Sequence, residues 1–494
     1  MSKGVEIATV HQCAVSRRAF LNGMASTMAL TALGGGIATS SVTPNLVLGI
    51  VSDIHLSMRR RNGVVSFHGE GMLRRAFEWF RSRGVHAVAL CGDMADIGLV
   101  EELEAVARIW NEAFGSSTVE RLFVYGNHDW EGMNYDNRAK ELFGDGFIDH
   151  TIRKDLGAAW RKAFCEDFSP VWRKEVMGYT FIGAHWIADR TRGADERGVP
   201  QAEGWFKANG PTLDPSKPFF YIQHPPLKNT CVGPWHWGRD NGVMTELFGR
   251  SFHNAIALTG HSHVSLTDER SIWQGPFASV NAGSLSYTGI AYGDLAPVYR
   301  ENDLIGASQD DVRRRIMSRA NVWDGHQGML ARVYDDRIVF ERRDFEDMGL
   351  LGEDWVLPLG GGSLRRTKHP APEFVQGATL EVRKTKGKNR GGGNVASEEQ
   401  DVLEIVIPAA NRAKCGRVFD YAVEFSDESG GRDVRAVFAA FFHRSLSGGA
   451  PSSPTVFQVA LKQIAVTGKV SIAVTPRDSL GTCGKPLYAK WMSA

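Results

Sequence analysis

The stretch AIALTGHSHVSL, residues 255–266, leaves an apolar run at Gly260 and presents two imidazoles, His261 and His263, one residue apart. On extended chain, residues two apart project to the same side, so both rings are expected to face one object. Four other motifs also follow apolar, strand-like runs: SDIHL with Asp53 and His55, CGDMAD with Asp93 and Asp96, YGNHDW with Asn127 and His128, and QHPP with His224. One Asp-x-His or Asn-His proves little in a chain of 494 residues, but five such sets, each at a strand end, are poorly explained by coincidence. Carboxylate and amide oxygens with imidazole nitrogens suit hard or borderline divalent ions. Two ions held about 3.5–4 Å apart need a bridging carboxylate, and Asp93, after the permissive backbone of Gly92, is the natural bridge. Asp53, His55 and the last imidazole can complete one ion, with Asn127, His224 and His261 completing the other. Water shared by two cations ionises near neutral pH and becomes a nucleophile, while the ions neutralise negative charge that develops on a substrate.

The elements that must position these tips are legible in the same stretches. NLVLGIV, VHAVAL and VERLFVYG read as buried strands, and MLRRAFEWFRSRG and LVEELEAVARIWNEAFG have helical spacing and a Gly stop. Strand-then-helix units in succession argue for a layered α/β domain. After an insertion-like region, residues 130–178, the pattern resumes with YTFIGAHW, PFFYIQHPP, AIALTGHSHVSL and PFASVNAGSLS. This domain is expected to span residues 43–348, with a Gly/Pro-rich connection over 349–376. Residues 377–494 alternate short strands with Gly, Asp and Ser turns, the pattern of a small all-β sandwich of immunoglobulin or fibronectin type.

The ordered set Asp53-x-His55, Gly92-Asp93-x-x-Asp96, Gly126-Asn127-His128-Asp129, His224 and Gly260-His261-x-His263 resembles the calcineurin-like metallophosphoesterase family over about residues 45–345. AEGWFKANG ahead of KPFFYIQHPP, and SVNAGSLS after GHSH, resemble that family's usual surroundings. The resemblance implies a layered metallophosphoesterase β-sandwich flanked by helices, two metal ions (Mn, Fe or Zn), and phosphatase or phosphodiesterase activity. Position by position, it implies that Asp53, His55, Asp93 and His263 hold one ion while Asp93, Asn127, His224 and His261 hold the other. It casts His128 as proton donor or phosphate contact, with Asp96 orienting it. The plainer role for Asp96 is to cap the helix expected near Leu99, and Asp129 is expected to support its turn.

Ser16-Arg17-Arg18 precedes Phe20-Leu21 and a weakly apolar run, and no acidic residue lies between Val15 and Leu48. Residues 1–42 thus look like a twin-arginine export signal, which implies a periplasmic or extracellular protein. The run is too diluted by Thr and Gly for a stable membrane span. A net charge of +1 gives no reason to favour nucleic acid or an anionic membrane as partner. A small phosphoester is the expected substrate; a nuclease, or a non-catalytic surface-binding protein on the same scaffold, is the alternative. Trp235 and Trp237, in the loop after His224, are candidates to stack on a base or sugar, or else to plug the core. Arg59 is a candidate phosphate contact within an otherwise solvated basic run. The C-terminal domain is expected to pack on the catalytic domain or to bind an unknown surface partner. Six scattered cysteines exclude a zinc ribbon, and Cys415 with Cys483 is the disulfide pair to test.

Overall fold

The computed structural model describes residues 43–135, 137–187, 199–233, 238–289, 324–365, 370–388, 399–411, 417–445 and 453–492. Strand and helix alternate from the start: β1 (Leu46–Val51), a hairpin of β2 (Ser57–Arg61) and β3 (Val64–His68), α1 (Glu70–Ser82), β4 (Ala87–Leu90), α2 (Val100–Phe114) and β5 (Glu120–Phe123). Three helices follow in the insertion: α3 (Asn127–Glu131), α4 (Arg138–Phe143) and α5 (Leu156–Phe164). The second run is β6 (Val171–Val176), β7 (Tyr179–Ala184), α6 (Pro200–Asn209), β8 (Phe219–Ile222), α7 (Val243–Ser251), β9 (Ala255–Thr259), β10 (Ile272–Gln274) and β11 (Ala278–Asn281). The chain then returns to its first sheet as β12 (Gln327–Val333), β13 (Arg337–Asp344) and β14 (Trp355–Pro358).

Two six-stranded sheets result, in the orders β14-β13-β12-β1-β4-β5 and β10-β11-β9-β8-β7-β6. In β1, Leu46, Leu48 and Ile50 join the core between the sheets with Phe181, Phe220 and Leu258, whereas Val47 and Val51 pack with Phe77, Phe80 and Val106 of α1 and α2. Burial on both faces is why this strand is continuously apolar instead of alternating. On the far side, Phe206 of α6 and Phe248 of α7 cover Phe219 and Tyr221 of β8. The layers therefore run helix, sheet, sheet, helix. Strands β1, β4 and β5 are mutually parallel, as are β7, β8, β9 and β11, so the tips of each set emerge at one edge.

The structure differs from the sequence reading in the expected connection, where residues 373–374 also pair as strand. Residues 355–358, placed there in a connection, pair with β13 as the edge strand β14, because Trp355 and Leu357 are buried against the inter-sheet core. Three histidines outside the motifs have ordinary structural partners: His86 accepts from Val47 N, His150 pairs with Glu101, and buried His185 accepts from Tyr125 N at 2.9 Å.

Beyond residue 370 the described residues form strands and, at Leu461–Gln463, one 3-10 turn: β15 (Glu373–Phe374), β16 (Glu381–Lys388), β17 (Glu399–Ile407), β18 (Ala410–Asn411), β19 (Asp420–Asp427), β20 (Arg432–Phe438), β21 (Thr455–Ala460), β22 (Lys469–Arg477) and β23 (Leu487–Met492). The sheets β16-β17-β21 and β20-β19-β22-β23 enclose Leu403, Ile405, Val423, Phe425, Phe457 and Ile472. This sandwich meets the first domain through a polar seam. Arg444 Nε donates to buried Asp344 at 2.9 Å and its Nη1 to Asp324 at 3.1 Å. His443 Nε2 lies 2.8 Å from Asp324, and Gln327 Nε2 donates to the His443 carbonyl at 2.6 Å.

Removing Arg444 leaves Asp344 buried without its guanidinium. Arg444→Ala is expected to lower the unfolding free energy by about 2 kcal/mol, read from urea denaturation. Burial holds His185 at a pKa of about 3, against 6.5 for an ordinary histidine. The unfolded chain takes up this proton first as pH falls, so the stability is complete above pH 6.5 and is lost downward through the window toward pH 3, by about 1.4 kcal/mol per unit. His185→Gln should therefore show a shallower fall in urea midpoint between pH 6.5 and 4.5 than the parent protein.

Candidate metal centre

The tips of β1 and β4 are stitched together by main chain. Asp53 N donates to Gly92 O, and Ile54 N and His55 N both donate to Asp93 O, at 2.9–3.0 Å. The Asp53 carboxylate accepts from His261 N at 3.0 Å, and Asp93 Oδ1 accepts from His128 N at 2.8 Å. Asp53, His55, Asp93, His261 and His263 all have left-handed backbone, with φ between 46° and 68°. Such conformations cost on the order of 1–3 kcal/mol each in non-glycine residues. They also correct the reading of His261 and His263 as side chains on extended backbone. The two rings do converge on one region, but His263 joins Asp53 and His55 while His261 joins Asp93 and His224.

Three imidazoles are oriented from behind. His224 Nδ1 lies 2.6 Å from Cys91 O, and His263 Nδ1 lies 2.9 Å from Tyr287 O. A carbonyl only accepts, so each ring carries its proton on Nδ1 and turns the bare Nε2 inward. His55 Nδ1 faces the Asp96 carboxylate at 3.3 Å, which has the same effect. Inside, His224 Nε2 stands 3.0 Å from Asp93 Oδ2, and His263 Nε2 stands 3.1 Å from both Asp53 Oδ1 and His55 Nε2. While these rings are neutral, lone pair faces lone pair at hydrogen-bond distance. Asn127 Nδ2 donates to Tyr135 Oη at 3.0 Å, while Asn127 Oδ1 is buried with no hydrogen-bond partner among the described residues. Only positive charge relieves this arrangement, and oxygen with imidazole nitrogen is a donor set that divalent first-row ions accept.

The titration behaviour expresses the same demand. Burial works to lower the pKa of His224, but the Asp93 and Asp53 carboxylates outweigh it and raise the pKa to about 9. His55 rises to about 9 likewise, with Asp96, Asp93 and Asp53 overcoming burial. Burial also opposes ionisation of Asp93, yet His224, His128 and His55 hold its carboxyl well below the ordinary range.

His128 is only partly buried, with Nδ1 2.7 Å from the Asp96 carbonyl and its ring 4.4 Å from that of His55, edge to face. Asp96 thus meets His128 chiefly through its main chain. Its carboxylate serves His55 and forms a 2.7 Å ion pair with Arg138 of α4. Asp96 does not cap α2: the cap position is Leu99, and Glu102 accepts from Leu99 N and Ile97 N. Asp129 supports its turn, accepting from Ala95 N and Gly126 N at 2.7 Å.

Arg59 is exposed on the β2–β3 hairpin and, among the described residues, bonds to none of the cluster. Trp235, Trp237, residues 1–42 and Cys415 lie outside the described residues; Cys483 has a free, exposed thiol. Sequence reasoning missed Tyr135 and Arg138, both in the insertion, and Trp186, whose ring lies 5.0 Å from His261. No motif marks them; their nearness to YGNHDW and to the end of β7 was the only signal.

Residues 46–265 match the family model of the calcineurin-like phosphoesterases. No curated protein matches the chain. Among solved structures it is similar to a dimetal phosphatase from Danio rerio, with 13% identity over 64% of this chain and 99% of that one and a TM-score of 0.34. It is also similar to a purple acid phosphatase from yellow lupin (Lupinus luteus) seeds, with 13% identity over 64% and 55% of the two chains and a TM-score of 0.38. A phosphopantetheinyl hydrolase from Mycobacterium tuberculosis shares 17% identity over 48% and 89%, with a TM-score of 0.27.

A methyl group on Gly126 would strike Asp93 Oδ1 and the His224 ring, whereas one on Gly146 meets nothing. Gly126→Ala is accordingly expected to weaken Mn²⁺ or Zn²⁺ binding by at least about tenfold, with Gly146→Ala unchanged, measured by equilibrium dialysis and elemental analysis.

Proposed function

We propose that this chain, whose residues 46–265 form a calcineurin-like phosphoesterase domain, is a metal-dependent hydrolase of small phosphomonoesters or phosphodiesters, working with two ions. The observation that carries this reading is the convergence of the His55, His224 and His263 Nε2 atoms on the Asp53 and Asp93 carboxylates, beside the unpartnered Asn127 Oδ1. Asp53, His55, Asp93 and His263 would hold one ion, and Asp93, Asn127, His224 and His261 the other. Ions bound there supply the positive charge that ionises water near neutral pH and holds the phosphate oxygens.

The chain's own groups do the rest. Cys91 O, Tyr287 O and the Asp96 carboxylate keep the ligand tautomers fixed, so no reorganisation is needed when substrate arrives. His128 has Nδ1 committed to the Asp96 carbonyl, so the protonated ring can deliver the Nε2 proton to the leaving-group oxygen; burial and His55 oppose that protonation and Asp93 favours it. Acid catalysis of that kind contributes roughly 10²–10⁴-fold. We further propose that residues 1–42 direct export by the twin-arginine route, a reading supported by Arg17-Arg18 and the acid-free run that follows. Among the described residues no helix is long and apolar enough to cross a membrane.

Chelator-treated protein should lose turnover of p-nitrophenyl phosphate or bis(p-nitrophenyl) phosphate and regain it with Mn²⁺, Zn²⁺ or Fe. Asp93→Asn should lose metal and activity together. His128→Ala should lower kcat by about 10²–10⁴-fold at unchanged metal content. Metal-saturated protein that leaves both ester classes untouched would refute the proposal.

A further inference from the structure

We infer that Tyr135 forms a ring-binding subsite beside His128, which selects phosphoesters whose leaving group carries an uncharged aromatic or heteroaromatic ring. The inference rests on the phosphoesterase reading above and adds a substrate class to it. Tyr135 is 53% exposed, and among the exposed large hydrophobic side chains of the described residues its ring is the one that touches a candidate catalytic group. Its centroid lies 4.6 Å from that of His128, tilted by 44°. The ring is also held in place. Its hydroxyl accepts from Asn127 Nδ2 at 3.0 Å and donates to Glu131 at 3.2 Å, so little side-chain freedom remains to be lost when a ligand stacks.

Position makes this exposed ring relevant to substrate. With His128 Nδ1 bonded to the Asp96 carbonyl, Nε2 is the atom available to the departing oxygen. A group attached to that oxygen starts beside the His128 ring, whose neighbour is Tyr135. Behind the acid stands the buried ring of His55, its centroid 4.4 Å from that of His128 and edge to face with it, so Tyr135 is the exposed ring beside the acid. A planar leaving group can lie on the exposed Tyr135 ring in the offset or tilted contact that aromatic rings prefer. Glu131, beside the Tyr135 hydroxyl, disfavours a leaving group with further negative charge.

The test uses the full chain loaded with Mn²⁺ and two probes that cannot be hydrolysed, phenylphosphonate and methylphosphonate, titrated by calorimetry. The parent protein is expected to bind the phenyl compound about tenfold more tightly. Tyr135→Ala should bring the ratio to about one, whereas Tyr135→Phe, which keeps the ring but releases Asn127, should preserve it. Equal binding by the parent protein, binding of neither probe, or an unchanged ratio in Tyr135→Ala overturns the subsite. Turnover is not needed for any of these outcomes. An inert protein that still prefers phenylphosphonate would sink the hydrolytic reading alone, and an active one without the preference would sink only the subsite.

Discussion

Two buried carboxylates, Asp53 and Asp93, lie beneath imidazole nitrogens whose protons have been directed outward, and the surrounding structure serves this excess of unshared electron pairs. Taking carboxylates out of water costs several kcal/mol each unless positive charge accompanies them. His55 and His224 are drawn up to about 9 for that reason, since protons are the charge the chain itself can recruit. A divalent ion meets the same need more completely, with Asn127 Oδ1 as a further donor that no group among the described residues satisfies. Ion uptake must then release protons from these histidines, which couples metal affinity to pH.

Holding like groups together requires a backbone that cannot relax away from them. Left-handed φ at Asp53, His55, Asp93, His261 and His263 stores strain at the tips of β1, β4 and β9. The hydrogen bonds from Asp53 N to Gly92 O and from His55 N to Asp93 O resist its release. Behind them stand sheets covered on both faces, with the apolar cores on either side of β1 supplying the stabilisation that such strain consumes.

The second domain participates in this support. Gln327 accepts from Leu266 N at 2.6 Å with its carbonyl oxygen and donates to His443 O with its amide nitrogen. Leu266 lies three residues beyond His263, so the β-sandwich is tied by one fully buried side chain to the loop that carries a candidate ligand. The seam of Asp324, Asp344 and Arg444 lies alongside.

Residue type and strand context are local properties. The motif set from Asp53 to His263, the layered α/β order and the all-β C-terminal segment could therefore be read from the chain alone. Three features could not. The αL backbone at His261 is held by hydrogen bonds from its N–H to Asp53, some two hundred residues away. The Asp96 carboxylate turned to His55 because Arg138, on a helix without any recognisable signature, reaches back to it. Residues 355–358 became β14 because an apolar sheet edge was waiting for Trp355. The sequence by itself determined which atoms were on offer as donors. Tertiary structure decided which of them face each other, because strand tips far apart in the chain meet only when two sheets pack, and tautomer, φ and charge are settled by those meetings.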